Sequence, residues 1–182
     1  CLLHDVGKPP TQTHEDRIRF NGHDRVGAAM SRQILTRLRY PGEVIDAVES
    51  LVGQHMKFKD APKMSLSTFK RFARQPLFDT LLELHRLDLL ASQRPLTNYD
   101  AVRGRREELG EAQLQPEPLL RGRDLIAMGY PPGPEFARVL HLLEEEQLEG
   151  RFATQQEAKE LVRRAWAPAS TSELHADAPG PS

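Results

Sequence analysis

The chain has 182 residues, of which 38% are hydrophobic and 28% are charged, a balance that fits a soluble, helix-rich protein. Its formal net charge of -1 excludes a basic field over the whole molecule, so any nucleic-acid contact must come from local patches. The single cysteine excludes an internal disulfide and fits a reducing compartment. No apolar run approaches the roughly 18 residues of a membrane span. We therefore expect a cytoplasmic protein.

The first motif in the chain is His4-Asp5-Val6-Gly7-Lys8-Pro9. An imidazole and a carboxylate on adjacent residues can bind one divalent cation if the backbone turns tightly enough to aim both. Gly7 permits such a turn, and Pro9 stiffens the exit from it. Because the motif begins so close to residue 1, which is Cys rather than Met, we expect the chain to be the C-terminal part of a longer protein.

Helical spacing of apolar residues is present along almost the whole chain. The predicted helices cover residues 25–39, 43–55, a short segment around Phe69 and Phe72, 77–93, 99–109, 124–128, a segment that begins at Pro134, and 154–166. The first of them is predicted to bury a stripe formed by Val26, Met30, Ile34 and Leu38. Apolar residues surround the helix over 77–93, which predicts burial on more than one side. Since there is no alternating strand pattern, the predicted fold class is all-α.

Local signals mark the ends of several of these helices. Ser65 or Ser67 is predicted to cap the short helix that carries the two phenylalanines. Gly110 is predicted to stop the helix over 99–109. Thr154 and Glu157 have the spacing of a capping box, which predicts the start of the last helix.

Three further residues could join the His-Asp doublet around one cation. His55 and Asp88 lie on the apolar stripes of their predicted helices, and His23 lies at the start of the helix over 25–39. A carboxylate in an apolar groove is costly unless a cation or hydrogen-bond donors compensate it. A divalent cation held by these side chains would satisfy the carboxylate and the imidazoles together.

Each of these residues also has a purely structural interpretation. Buried histidines are commonly satisfied by a hydrogen bond, and Asp88 could pair with Arg86 or Lys70. His85 precedes Asp88 by one turn and could serve only to orient it. The remaining histidines lie in polar contexts and are predicted to be solvated: His14, His141 and His175.

The doublet, the later Gly22-His23 pair, a histidine that closes the next helix and a distant aspartate together resemble the HD metal-dependent phosphohydrolase superfamily. In that family the doublet and the distal aspartate bind the metal with a further histidine on a helix before the doublet, which would lie upstream of Cys1. The residues that match first-metal ligands are His4, Asp5 and Asp88. By the same resemblance, His23 and His55 match positions that complete or extend the site.

The segment from Pro118 to Pro134, PLLRGRDLIAMGYPPGP, resembles a segment of bacterial CCA-adding enzymes and their poly(A) polymerase relatives. Gln147–Gly150 and Leu87–Ser92 continue the likeness, which runs from the first residue to about Trp166. In that family an N-terminal head adds nucleotides to the tRNA 3′ end, using a Gly-Ser turn and paired carboxylates that hold Mg²⁺ and the triphosphate. This sequence has no such arrangement, so the resemblance implies a chain without the head that cannot transfer nucleotides unaided.

The two resemblances together imply a division into three parts. Residues 1–95 are predicted to form an HD metal-binding domain that lacks its N-terminal portion. Residues 96–166 are predicted to form a smaller helical region that binds tRNA. Residues 167–182 are rich in Ala, Pro and Ser and are predicted to be disordered.

Basic residues that could contact tRNA phosphates occur in local clusters. The candidates for RNA binding are Lys57, Lys59, Lys63, Lys70, Arg71, Arg74, Arg121 and Arg123. Three phenylalanines interleave with the first six, and phosphate contacts need point charges of this kind. A further cluster contains Arg103, Arg105 and Arg106. The alternative interpretation is that these are ordinary solvated faces.

The function predicted from these observations is the C-terminal part of a tRNA nucleotidyltransferase that binds tRNA and carries an HD phosphohydrolase site. His4 and Asp5 are its predicted catalytic residues together with Lys8, which could neutralise a phosphate. Mixed His and Asp ligands suit Mn²⁺, Ni²⁺, Co²⁺ or Fe and tolerate Mg²⁺. Two alternatives stay open: a stand-alone HD phosphohydrolase that acts on a nucleotide or cyclic phosphate, and a structural module with a metal-free vestige of the site.

Overall fold

The structure is a computed structural model, and it describes residues 2–14 and 16–166. The α-helices in these ranges are α1 (His23–Arg37), α2 (Gly42–Gln54), α3 (Leu66–Ala73), α4 (Phe78–Ala91), α5 (Thr97–Leu114), α6 (Gly122–Ala127), α7 (Pro134–Leu148) and α8 (Gln155–Ala165). Short 3₁₀ helices cover Pro9–Thr11, His55–Lys59 and Ala61–Lys63. The predicted all-α fold class is confirmed. The tail predicted to be disordered lies outside the described residues.

A small β-hairpin between the doublet and α1 was absent from the prediction. Its strands are β1 (Gln12–His14) and β2 (Ile18–Phe20), which pair antiparallel with Gln12 opposite Phe20. Each strand has three residues. Such a strand is too short to show the two-residue periodicity on which strand prediction depends.

The chain divides into two compact units, residues 1–115 and 116–182. The first has a core rich in phenylalanine, with Phe58, Phe69, Phe72 and Phe78 at its centre. α5, which begins after the predicted domain boundary at residue 95, buries Val102 and Leu114 in this same core. The predicted stop at Gly110 does interrupt α5, where this glycine adopts a φ of 62°.

Arg105 holds α5 against the rest of the first unit. We therefore interpret it as a structural residue and not as part of an RNA-binding surface. Its guanidinium lies 4.2 Å from the centroid of the Phe69 ring. It also donates hydrogen bonds to the backbone oxygens of Ala61 and Met64. A guanidinium held by an aromatic face and two carbonyls cannot turn outward to a phosphate without losing these contacts.

The second unit packs α6, α7 and α8 around its own apolar core. The core residues include Leu125, Val139, Leu143, Ala158 and Val162. The predicted capping box at the start of α8 is confirmed, since Thr154 Oγ1 accepts a hydrogen bond from Glu157 N and Glu157 Oε2 accepts one from Thr154 N. Trp166 stacks on Tyr130 with ring centroids 4.5 Å apart.

The buried face of α1 differs from the predicted one. The residues buried on it are His23, Gly27, Ser31 and Leu35. In the predicted stripe, by contrast, Leu38 is 57% exposed and Val26 is also exposed. The reason is steric at Gly27, where the doublet turn approaches the backbone of α1 closely and a large side chain would not fit.

Ile34 on α1 and Leu38, which follows the helix, line an open groove instead. This groove has a volume of about 780 Å³, and the residues around it include Leu2, Ile34, Leu38, Tyr40, Leu87 and His4. Leu87 and Leu90 on α4 are exposed, so the prediction that this helix is buried on more than one side is wrong for its last two turns. The groove reaches the candidate metal centre through His4.

Candidate metal centre

The His-Asp doublet lies in a tight turn that rests directly on α1. The backbone N–H of Lys8 donates to the backbone oxygen of Asp5 at 3.0 Å, and Thr11 Oγ1 donates to the backbone oxygen of Gly7 at 2.8 Å. A Cβ atom at Gly7 would lie 2.2 Å from the His23 oxygen and 2.6 Å from Gly27 N. Gly7 therefore lies in the predicted turn and is needed there because two backbones approach each other closely.

All five candidate ligands from the sequence converge in one place. His4 and Asp5 come from the turn, His23 from the start of α1, His55 from the residue that follows α2, and Asp88 from α4. Their ligand atoms form two groups, Asp5–His23–His55 and His4–Asp5–Asp88, in each of which the atoms lie within 4.8 Å of one another. Arg86, one of the two structural partners predicted for Asp88, pairs with Glu83 instead, and His4 lies beside Asp88.

The Asp5 carboxylate belongs to both groups and uses a different oxygen for each. Its Oδ2 atom lies 3.2 Å from His4 Nε2. Its Oδ1 atom lies 3.5 Å from His23 Nε2 and 3.8 Å from His55 Nε2. His4 Nε2 is in turn 3.5 Å from Asp88 Oδ1. A carboxylate placed in this way can serve two cation positions at once.

Two backbone carbonyls orient the buried histidines. His23 Nδ1 lies 2.7 Å from the Phe20 oxygen, and His55 Nδ1 lies 2.6 Å from the Val52 oxygen. With Nδ1–H donating to a carbonyl, each ring turns its Nε2 atom toward Asp5, which is the orientation that a metal-binding histidine needs. These carbonyls could not be identified from the sequence, because every residue carries one.

Burial and charge set the protonation states at this site. Burial lowers the pKa of His55 below 6.5, outweighing the opposing effect of its hydrogen bond to Val52. Burial alone would raise the pKa of Asp5, but the hydrogen bond from Lys8 and the charges of His4, Lys8 and His23 together lower it below 3.8. Near neutral pH the site thus offers a neutral imidazole and an ionised carboxylate, both competent ligands.

The donor set fits a divalent cation of the first transition series. Imidazole nitrogens and carboxylate oxygens are the ligands such ions prefer, and the carboxylates also suit Mg²⁺. His23 and His55 are 7% and 9% exposed, whereas the Asp88 side chain is 37% exposed. The site is therefore closed on the histidine side and open toward solvent near Asp88, where a substrate could enter.

His85, which was predicted from the sequence as a possible orienting residue for Asp88, is partly buried and packs against the core. Its ring stacks on Phe58 with centroids 4.8 Å apart, and burial lowers its pKa. Of the histidines predicted to be solvated, His14 and His141 are exposed. His175 lies outside the described residues.

Most of the basic residues predicted to bind RNA are on the surface. The exposed ones are Lys57, Lys59, Lys63, Arg74, Arg121 and Arg123. Arg71 is partly buried, and Lys70 is only 6% exposed. A buried ammonium cannot reach a phosphate, so we exclude Lys70 from the proposed RNA surface. Lys57 Nζ lies 5.9 Å from the centroid of the Phe72 ring.

The fold and the site together define the class of this protein: the chain belongs to the HD domain family, which matches residues 1–113. It is 40% identical over 166 residues to the CC-adding tRNA nucleotidyltransferase of Thermus thermophilus. It is 38% identical over 177 residues to the A-adding tRNA nucleotidyltransferase of Deinococcus radiodurans. No solved structure matches the chain significantly.

These similarities cover most of this chain but less than half of each relative. They span 89% and 91% of the chain, and 38% and 40% of the two relatives. The chain thus spans about two fifths of the length of the curated proteins that it matches. Among the described residues, no helix is long and apolar enough to cross a membrane.

Proposed function

We propose that this chain is the HD and tRNA-binding part of a tRNA nucleotidyltransferase. The observation that carries the proposal is that its similarity to two such enzymes extends over about nine tenths of the chain, well beyond the HD match. The sequence after residue 115, which the HD match does not include, is therefore similar to these relatives as well. We assign HD chemistry to the first unit and part of the tRNA contact to the second.

Nucleotide transfer itself is proposed to need residues outside this sequence. The transferase chemistry of the resembled family requires a Gly-Ser turn with paired carboxylates, and the 182 residues contain no such pair of motifs. The carboxylates that the first unit does assemble lie beside three histidines, which suits an HD phosphohydrolase site. We propose that the chain alone binds tRNA without extending it.

The tRNA contact is proposed to use the exposed basic residues. We expect two variants to weaken tRNA binding at least about tenfold at low salt: the triple variant Lys57→Ala/Lys59→Ala/Lys63→Ala and the double variant Arg121→Ala/Arg123→Ala. Each lost phosphate contact also removes the favourable free energy of releasing a counterion from the tRNA. Fluorescence anisotropy of a labelled tRNA transcript, repeated over a salt series, measures this. The slope of log affinity against log salt should become shallower in both variants.

A matched control exists on α1. Arg32 is an exposed arginine that pairs with two carboxylates, Asp46 and Glu49, so the group of three side chains has a net negative charge, whereas Arg121 pairs with Glu117 and lies near the exposed Arg123 in sequence. Arg32→Ala should therefore bind tRNA like the wild type. If the control weakens binding as much as the basic-cluster variants, or if none of the proteins binds tRNA, the proposed tRNA contact is wrong.

The HD site is proposed to hydrolyse a phosphoester. A divalent cation bound there supplies Lewis-acid polarisation of a phosphoryl oxygen and lowers the pKa of bound water. His4, Asp5 and Asp88 are proposed to hold one cation on the open side of the site, and Asp5, His23 and His55 a second one on the buried side. Lys8, beside Asp5 and 40% exposed, is placed to neutralise phosphate charge.

Hydrolysis of a nucleoside 2′,3′-cyclic phosphate with added Mn²⁺ tests this assignment. We expect Asp88→Asn to lower the rate at least about 100-fold, since a neutral amide is a far weaker ligand than a carboxylate. Asp79→Asn, an exposed substitution on the same helix, should retain the wild-type rate. Equal rates for the two variants would show that the activity does not arise at this site.

The two alternative functions considered from the sequence would give different results in these assays. A stand-alone HD phosphohydrolase would hydrolyse the cyclic phosphate but show no salt-dependent tRNA affinity. A structural vestige would bind neither Mn²⁺ nor substrate at this site. The five converging ligand side chains and the orienting carbonyls favour a working site over a vestige.

A further inference from the structure

The β-hairpin that precedes α1 has one face whose side chains can be identified from its register. Directly paired residues of two antiparallel strands point to the same face, and so do residues two apart along one strand. The residues that share this face are Gln12, His14, Ile18 and Phe20. A hydrogen bond of 2.6 Å between Gln12 Nε2 and His14 Nε2 is consistent with their placement side by side. Thr13 and Arg19, which pair with each other, belong to the opposite face.

Lys8 lies between this face and the metal centre. Its Nζ atom is 2.5 Å from Asp5 Oδ2, the carboxylate oxygen that faces His4, and 5.8 Å from the centroid of the Phe20 ring. The backbone oxygen of Phe20 lies 2.7 Å from Nδ1 of His23, which anchors the strand beside the metal centre. The Phe20 ring is thus separated from the carboxylate by a span comparable to that between the phosphate and the base of one nucleotide.

The hairpin face offers an apolar surface with polar groups beside it. Ile18 is 57% exposed, and Phe20 is partly exposed. A lone exposed isoleucine is ordinary on a protein surface, but this one shares a face with an aromatic ring two residues away. Gln12 and His14 are exposed on the paired strand and supply hydrogen-bond donors and acceptors. Proteins bind unstacked nucleobases through this combination of a flat apolar surface and polar groups at the base edge.

We propose that the face formed by Gln12, His14, Ile18 and Phe20 binds the base of a nucleotide whose phosphate lies at Lys8 and the open side of the metal centre. The inference rests on the proposed phosphohydrolase site and adds to it the class of substrate, a nucleoside phosphate rather than a phosphoester without a base. Ile18 and Phe20 contact the ring of the base, and Lys8 contacts the phosphate. Since the hairpin residues bind the base and do not touch the reacting phosphate, their loss acts mainly on KM.

Hydrolysis of two substrates that contain the same five-membered cyclic phosphate tests this subsite. Adenosine 2′,3′-cyclic phosphate carries a base, whereas glycerol 1,2-cyclic phosphate does not. With added Mn²⁺, the 182-residue chain should prefer the adenosine compound at least about tenfold in kcat/KM. In Phe20→Leu and in Ile18→Ser we expect this preference to fall at least about fivefold, mainly through KM, because the base loses stacking contact. Thr13→Ala, an exposed substitution on the opposite face, should keep the wild-type preference.

The outcomes of this comparison separate the subsite from the site on which it rests. A wild type that does not prefer the adenosine compound would overturn the subsite, as would an unchanged preference in both hairpin variants. Failure of the wild type to hydrolyse either substrate would instead overturn the proposed phosphohydrolase function. A Phe20→Leu defect that is also seen with an oligoribonucleotide ending in this cyclic phosphate would extend the subsite to RNA ends. A defect limited to the mononucleotide would restrict the subsite to free nucleotides.

NMR detects the base contact independently of hydrolysis. In the methyl-labelled chain with Zn²⁺ present, adenosine 3′-phosphate should shift the Ile18 methyl signals upfield through the ring current of the stacked adenine. Ile126, an exposed isoleucine in the second unit, is the control within the same spectrum and should not shift. Ribose 5-phosphate, which has no base, should not reproduce the Ile18 shift. An Ile18 signal that does not move, or that ribose 5-phosphate moves equally, would overturn the base contact.

Discussion

Replacing Gly7 with alanine is expected to lower the free energy of unfolding by about 3 kcal/mol or more and to weaken Mn²⁺ binding at least about tenfold. The new Cβ would lie 2.2 Å from the His23 oxygen and 2.6 Å from Gly27 N. Both contacts are with backbone atoms, which cannot rotate away as a side chain can. The doublet turn must therefore shift off α1, and it takes His4 and Asp5 away from His23.

The matched control for this substitution is Gly104→Ala. Gly104 lies within α5 and has no heavy atom within 4 Å of the position that a Cβ would take. Alanine there should raise the free energy of unfolding by roughly 0.5–1 kcal/mol, because glycine is the poorer helix former. Urea unfolding and Mn²⁺ titration of both variants measure the contrast. A Gly7→Ala protein as stable as the wild type would mean that the turn does not rest on α1 as the structure shows.

Replacing Asp5 with asparagine is expected to weaken Mn²⁺ binding at least about 100-fold at both cation positions. Asp5 is the one residue that the two ligand groups share. Its pKa lies below 3.8, so at neutral pH the substitution removes a full negative charge from between the histidines. A neutral amide oxygen is a weaker ligand and cannot bridge two cations.

Thermal unfolding with and without Mn²⁺ measures this effect independently of any activity. A ligand at 100 times its dissociation constant stabilises a protein by about 2.7 kcal/mol, so the wild-type Tm should rise with Mn²⁺ while that of Asp5→Asn should not. Asp16→Asn serves as the control, because Asp16 is exposed and pairs only with Arg19 among the described residues. A normal Mn²⁺ shift in Asp5→Asn would exclude Asp5 as a shared ligand.

The helices and the site residues could be predicted because their signals are local or are carried by residue type. Apolar spacing identified the helices, and the Thr154 and Glu157 capping box marked the start of α8 where the structure has it. His and Asp residues on apolar stripes indicated a buried polar site, since such groups need compensation. The resemblance to HD proteins added the expectation that the distant aspartate joins the doublet.

The features that could not be predicted from the sequence depend on tertiary packing between helices and turns. The buried face of α1 includes Gly27 and Ser31 rather than the predicted Val26 and Leu38, because the doublet turn approaches the helix backbone closely at Gly27. The first unit extends through α5, because Val102 and Leu114 complete its core. From the sequence, Lys70 is predicted to be an exposed charged residue, but it is buried in the structure.

By itself, the sequence determined that this protein is helical and which five side chains could bind a cation, since periodicity and ligand chemistry belong to the residues themselves. Only the tertiary structure decided that the Asp5 carboxylate faces two ligand groups with different oxygens and that Lys8 holds one of them. The physical reason is that coordination depends on distances of a few ångströms between segments far apart in the chain. Those distances are set by the packing of the turn, α1, α2 and α4, which no local pattern contains.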